Sequence, residues 1–168
     1  MPPPRRSHIE AAQALAAVAP LATRWIERLL AAHEPALTVA QYLVLRAIAG
    51  GQTSSGELAH GAGVSGPAVS QLVAALQESG LIERQPAADD RRRQTLALSR
   101  AGKRAYASAE QLLQNRVGSL LADLPRPEAD ALSRLLQHVE ATLAGTPPPR
   151  RPPPPTPPEP PKPPRARP

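Results

Sequence analysis

The densest chemistry in this chain lies in one short stretch, Ala88 to Gly102, which reads ADDRRRQTLALSRAG. Two aspartates run into three arginines, and an alternating apolar segment follows. From Arg84 to Arg104 seven basic residues stand against two acidic ones, a local net charge of +5. A guanidinium is planar, permanently charged and rich in donors, which suits phosphate and carboxylate ligands. At a hairpin tip, Arg91, Arg92 and Arg93 extend away from the core. An arginine so placed can enter the minor groove of a duplex, where the potential is most negative when the groove is narrow. Asp90 repels phosphate. Its expected work is to hold a neighbouring guanidinium in one orientation through a paired hydrogen bond. The competing reading is a solvated charge run with no ligand.

Other reactive constellations are missing from the sequence. There is no cysteine, which removes disulfides, thiolate nucleophiles and thiol redox sensing. His8, His33, His60 and His138 fall in four separate segments, and no pair has the i,i+4 spacing of a zinc site on one helix. No nucleophile elbow, acid–base pair or phosphate loop is present. Gly61 and Gly63 belong to a turn between helices. The expectation is a non-enzymatic protein without metal or cofactor.

The elements that must position the arginines are mostly helical. Ile9, Ala12, Ala16, Ala19, Ala22, Ile26, Leu29 and Leu30 recur at helical steps over Ser7 to Ala32. Ser7 with Glu10 fits a capping box, and Pro20 is expected to kink or split the helix. A second helix, Leu37 to Ala49, has a Thr38–Gln41 box and ends at Gly50-Gly51. Tyr42, Leu45 and Ile48 mark its buried face. A short third helix starts at Ser54 with Glu57. A fourth, Gly66 to Glu78, has Ser65 as N-cap and Pro67 in its first turn, where proline is tolerated. Its apolar face is Val69, Leu72, Val73 and Leu76. Leu81 to Gln85 and Thr95 to Leu98 read as two strands around the charged loop. Ser99 then caps a long helix to about Ala122 carrying Ala101, Ala105, Leu112, Val117, Leu120 and Leu121. A last helix, Pro127 to Ala144, has Leu132, Leu135, Leu136, Val139 and Leu143 as its stripe.

Composition sets the domain limits. Of the 23 prolines, 14 lie beyond Gly145, and three more are Pro2 to Pro4. Residues 146–168 have too few apolar side chains to offset ordering entropy, and their prolines donate no backbone hydrogen bonds. They read as a disordered, basic, partly polyproline-II tail, and residues 1–6 as a disordered N-terminal segment. The tail carries five basic residues against one acidic, +4 of the chain's +6, so the high pI says little about the folded part. The folded part is one unit over 7–145. No apolar run is long enough for a membrane span, and the start has no signal-peptide core. The expectation is a soluble cytoplasmic protein.

Third helix, glycine-containing turn and fourth helix form the helix-turn-helix pattern, and the strand pair after it has the place of a wing. The exposed N-terminal positions of the fourth helix are Gly66, Pro67, Ser70 and Gln71, with Ala74 a turn later. Small side chains allow close approach to a duplex. Ser65 and Ser70 can bond phosphate beside the helix N-terminus, and Gln71 can donate and accept at an adenine edge.

The stretch DRRRQTLALSRAG closely resembles the wing signature of the MarR (multiple antibiotic resistance regulator) family. Asp90, Arg91, Arg92, Leu98, Ser99 and Gly102 fall in register. LTVAQYLVLRAIA and ELAHGAGVSGPAVSQLVAALQESGLIERQP resemble the preceding segments of that family, and the resemblance spans about Ile9 to Ala144. It implies a mainly α fold with a small β-hairpin wing. Helices over 7–33 and 100–145 would form an all-α dimerisation domain around a DNA-binding winged helix over 37–99. It further implies a homodimer on a pseudo-palindromic double-stranded operator, acting mostly as a repressor that a small aromatic or lipophilic anionic effector releases. Trp25, Arg28, Tyr42 and Arg46 are the candidates to line an effector pocket, or else core and interface residues. One departure stands out: Gln71 holds a position where the family often has arginine, and Ala74 and Ala75 replace polar residues. The alternative function is a winged-helix module that contacts protein rather than DNA.

Overall fold

Local capping chemistry starts most of the elements. In the computed structural model, which describes residues 5–52, 54–62, 65–86 and 94–145, the order is α1 (Arg6–Ala31), α2 (Val39–Ala49), α3 (Ser55–Ala62), α4 (Gly66–Glu78), β1 (Ile82–Pro86), β2 (Gln94–Leu98), α5 (Arg100–Leu120) and α6 (Arg126–Gly145). Ahead of α2, Gln41 N donates to Thr38 Oγ1 at 3.1 Å and Thr38 N donates to Gln41 Oε1 at 2.9 Å. Ahead of α3, Glu57 N donates to Ser54 Oγ at 3.2 Å and Ser54 N to Glu57 Oε2 at 3.0 Å. Both are reciprocal boxes that satisfy otherwise orphaned N–H groups.

Helix α1 departs from expectation twice. It begins at Arg6, and Glu10 is held by Arg6 Nε at 3.1 Å, so Ser7 and Glu10 do not form the box. It also runs through Pro20 without a break. Proline removes a single backbone donor there, and the alanine-rich flanks have the highest intrinsic helix propensity.

The core gathers α2, α3, α4, both strands, the start of α5 and the last turn of α1. Leu30, Val44, Leu45, Leu58, Val69 and Leu76 are its fully buried side chains. The strands pair antiparallel with Ile82 opposite Leu98, Arg84 opposite Leu96 and Pro86 opposite Gln94. Ile82, Leu96 and Leu98 share the buried face, as the two-residue period of a strand requires. Leu45→Ala is expected to destabilise the unit by about 2–5 kcal/mol, because the vacated volume cannot refill in a close-packed interior. A urea titration followed by circular dichroism measures this.

Helix α5 packs through a face that the sequence pattern misplaces. Gly102, Ala105, Ala109 and Leu113 are buried, whereas Ala101 and Leu120 are exposed. Of the expected stripe, Ala105 alone is buried. Small residues let α5 approach the core closely, and its larger apolar side chains are left on other faces. The same holds more strongly at the ends of the chain. In α1 only Leu30 is buried, while Ile9, Leu15, Val18 and Leu21 are exposed. In α6, Leu135, Leu136 and Leu143 are 64%, 50% and 67% exposed. A polar tie between α6 and the core is Arg46 Nη2 to Glu140 Oε1 at 3.6 Å. No helix among the described residues is long and apolar enough to cross a membrane.

Candidate nucleic-acid interface

Helix α4 buries Val69, Val73 and Leu76, with Leu72 half-buried beside them. That fixes its rotation. Gly66, Pro67, Ser70, Gln71 and Ala74 then face outward together, as their spacing predicts. Ser65 is the N-cap residue in extended conformation, but its hydroxyl makes no cap hydrogen bond. Ser70 Oγ donates to Gly66 O at 3.3 Å, a long local bond that a better acceptor can displace. No lysine or arginine occurs between Gly66 and Glu78, so cationic contacts must come from neighbouring elements.

The wing is one such neighbour. The Pro86–Gln94 pair is the outermost of the strand register. Asp90, Arg91, Arg92 and Arg93 lie beyond it, outside the described residues. Arg84 on β1 is exposed, as are Arg100, Lys103 and Arg104 at the start of α5. These flank the arginine cluster in the chain.

The effector candidates divide into separate places. Arg28 lines an open groove of about 570 Å³ on α1 with Leu21, Arg24, Glu27 and Ala31. Trp25 is half-buried on the same helix. Tyr42 and Arg46 instead face α5 and α6. Tyr42 is buried, its hydroxyl donates to Glu110 Oε2, and its ring stacks on Tyr106 with centroids 6.1 Å apart. Burial pushes the Tyr42 phenol well above its ordinary range. The hydrogen bond to Glu110 and that residue's charge add to the shift, and Arg46 opposes it. Tyr106 is raised for the same reasons, burial first. The Glu110 carboxylate accepts from Tyr42, and its charge favours the neutral form of both phenols.

Glu110 and Tyr106 carry no site signature in the sequence. The available signal is their one-turn spacing on α5, with Tyr42 on a different helix. His33 was equally hidden: its Nδ1 lies 2.9 Å from Pro35 O and its Nε2 2.9 Å from Ser108 Oγ, tying the end of α1 to α5. Among the described residues no three His, Asp or Glu side chains group as a metal site would require.

Residues 37–93, which hold α2, the helix-turn-helix and the first wing strand, match the family model described as MarR family. Over those residues the match supports a MarR-family winged-helix regulator. Solved MarR structures agree with the fold. MarR of E. coli in its apo form is 25% identical, with a TM-score of 0.61 over 76% of this chain and 95% of that one. A mutant of E. coli MarR complexed with operator DNA is 26% identical, with a TM-score of 0.58 over 74% of this chain and 92% of that one. CouR of Rhodococcus jostii RHA1, bound to p-coumaroyl-CoA, is 22% identical, with a TM-score of 0.64 over 75% of this chain and 88% of that one. The winged helix of MarR-family regulators is thus the frame that carries the exposed α4 face.

Proposed function

We propose that this MarR-family chain binds a pseudo-palindromic double-stranded operator as a homodimer and represses transcription in the cytoplasm. The observation that carries the reading is the outward N-terminal face of α4 (Gly66, Pro67, Ser70 and Gln71), uncharged and small, with the wing next in the chain. Such a face admits a major groove to the backbone of the helix, and its N-terminal N–H groups attract phosphate. Ser65 and Ser70 supply phosphate contacts, Gln71 a base contact, and Arg91 and Arg92, oriented by Asp90, supply the charge. The operator complex of E. coli MarR supports this use of the fold.

Exposed apolar surface supports dimerisation. Leu15, Leu21, Leu121, Leu135, Leu136 and Leu143 all lie in the terminal helices or beside them, at 38–67% exposure. Apolar surface of this kind costs about 25 cal/mol for each square ångström left in water. A second copy offering the same helices covers it with a self-complementary interface. Residues 7–33 and 100–145 would build that interface, and 37–99 the DNA-binding unit.

The effector part of the reading is an anionic aromatic or lipophilic molecule that releases DNA. Arg28 in its groove and Arg46 beside the paired tyrosines supply the cations, with Trp25 and Tyr42 as aromatic surface. The fold neighbour CouR, bound to p-coumaroyl-CoA, supports a ligand of that class.

Electrophoretic retardation of the DNA upstream of its own gene tests the central statement. Salt-sensitive, competitor-resistant retardation is expected; none at low salt would sink it and favour the protein-contacting alternative. Removing residues 146–168 is expected to leave sequence preference intact. The slope of log affinity against log salt should fall by roughly one for each tail cation that had met a phosphate.

A further inference from the structure

The turn after α4 and the start of α5 are joined by contacts that leave almost no room between them. Gly80, at φ +69, ends the turn, and Leu81 N donates back to Leu76 O at 2.9 Å. The next two carbonyls then face α5. Ser99 Oγ donates to Gly80 O at 2.6 Å, and Ser99 N donates to Leu81 O at 3.1 Å. The same hydroxyl accepts from Gly102 N at 2.9 Å. Ser99 therefore spends its one proton on the end of α4 and a lone pair on the first turn of α5. The carbonyls of Gly80 and Leu81, just past the end of α4, thus meet the hydroxyl and the N–H of the α5 N-cap residue. Gly102 closes the joint. A Cβ at that position would lie 1.8 Å from Leu81 O. Real contacts do not fall under 3.0 Å, so any side chain here must drive the two backbones more than 1 Å apart.

We propose that Ser99 and Gly102 are positioning residues that lock α4 to α5 as one rigid body, and so set the separation of the two α4 helices in the dimer. The inference rests on the dimeric DNA-binding reading above. Its physical basis is leverage. Helix α5 runs from this joint to exposed Leu120 and Leu121, beside the proposed dimer surface. Any play at the joint appears as play in the position of α4 relative to the partner. Two helices that must enter successive major grooves, about 34 Å apart, tolerate little of it. A hydroxyl with both hydrogen-bonding roles used, and a glycine with backbone against its α-carbon, are the means of removing that play.

The chain has no cysteine, so Ala74→Cys, on the exposed face of α4, places one nitroxide label on each protomer of the full-length protein. Pulsed dipolar spectroscopy then reads the separation of the two α4 helices. The parent is expected to give one narrow distance distribution. Ser99→Ala should broaden it about twofold, and Ser99→Thr, which keeps the hydroxyl, should restore it. Gly102→Ala should shift the mean as well. A lost helix cap alone lowers thermal stability without widening the distribution. If Ser99→Ala is folded and dimeric yet gives the parent's width, the joint is not what sets the spacing and the inference is overturned alone. If the labelled parent gives no dipolar signal, no dimer exists and both readings fall. Should Gly102→Ala not fold, the Ser99 pair still decides.

Discussion

Leu136→Glu in α6 is expected to convert the protein to a monomer and to weaken operator binding by at least about a hundredfold, since one protomer reaches only one half-site. Leu136 is half exposed within the protomer and belongs to no part of the buried core, so its replacement leaves the winged helix folded. In a dimer through α1, the end of α5 and α6, the leucine is covered. Losing it costs about 1.5–3 kcal/mol at each of two symmetric positions, and an unpaired carboxylate in the same place costs more. Light scattering on a sizing column gives the mass, and retardation of operator DNA gives the affinity. A variant that remains dimeric at micromolar concentration would show that the exposed leucines serve something else. Leu21→Glu in α1, 60% exposed, should behave alike, because it lies on the same unpartnered set of helices.

The second large effect belongs to the wing. Arg92→Ala is expected to reduce operator affinity more than about tenfold, roughly 1.4 kcal/mol, and to flatten the salt dependence by about one unit of slope. Gln71→Ala should cost less. The reason is the charge distribution around α4. Gly66 to Glu78 carries no cation, Ser70 already has a local hydrogen bond, and Ser65 and Gln71 are neutral. Electrostatic attraction to phosphate, the largest sequence-independent contribution to DNA affinity, must then come from the wing and the basic start of α5. Fluorescence anisotropy at several salt concentrations separates the two variants. A loss under tenfold for Arg92→Ala, or a larger one for Gln71→Ala, refutes the wing-centred account.

Much of the fold can be read from particular residues. The Thr38–Gln41 and Ser54–Glu57 boxes and the cap at Ser99 are local interactions, complete within four residues, and each is found in the structure; α4 also has the bounds its pattern predicts, though Ser65 makes no side-chain cap bond. Outward placement of Gly66, Pro67, Ser70 and Gln71 follows from where Val69, Val73 and Leu76 must go. Expectation failed where two local partners compete for one side chain, or where packing chooses between faces of a helix. Glu10 had two possible partners and Arg6 took it. In α5 the core took Gly102, Ala105, Ala109 and Leu113, and of the expected stripe only Ala105.

By itself, then, the sequence determined the order of the elements, the helix-turn-helix with its wing and the resemblance that names the family, because periodicity, caps and turn residues act over a few residues. Tertiary structure alone decided which helices remain uncovered, which carboxylate the Tyr42 hydroxyl finds, and how closely the turn after α4 approaches α5. These depend on the distance between residues far apart in the chain: Tyr42 and Glu110, His33 and Ser108, Leu81 and Gly102. Such distances follow from how close-packed helices settle against one another, which no local pattern encodes.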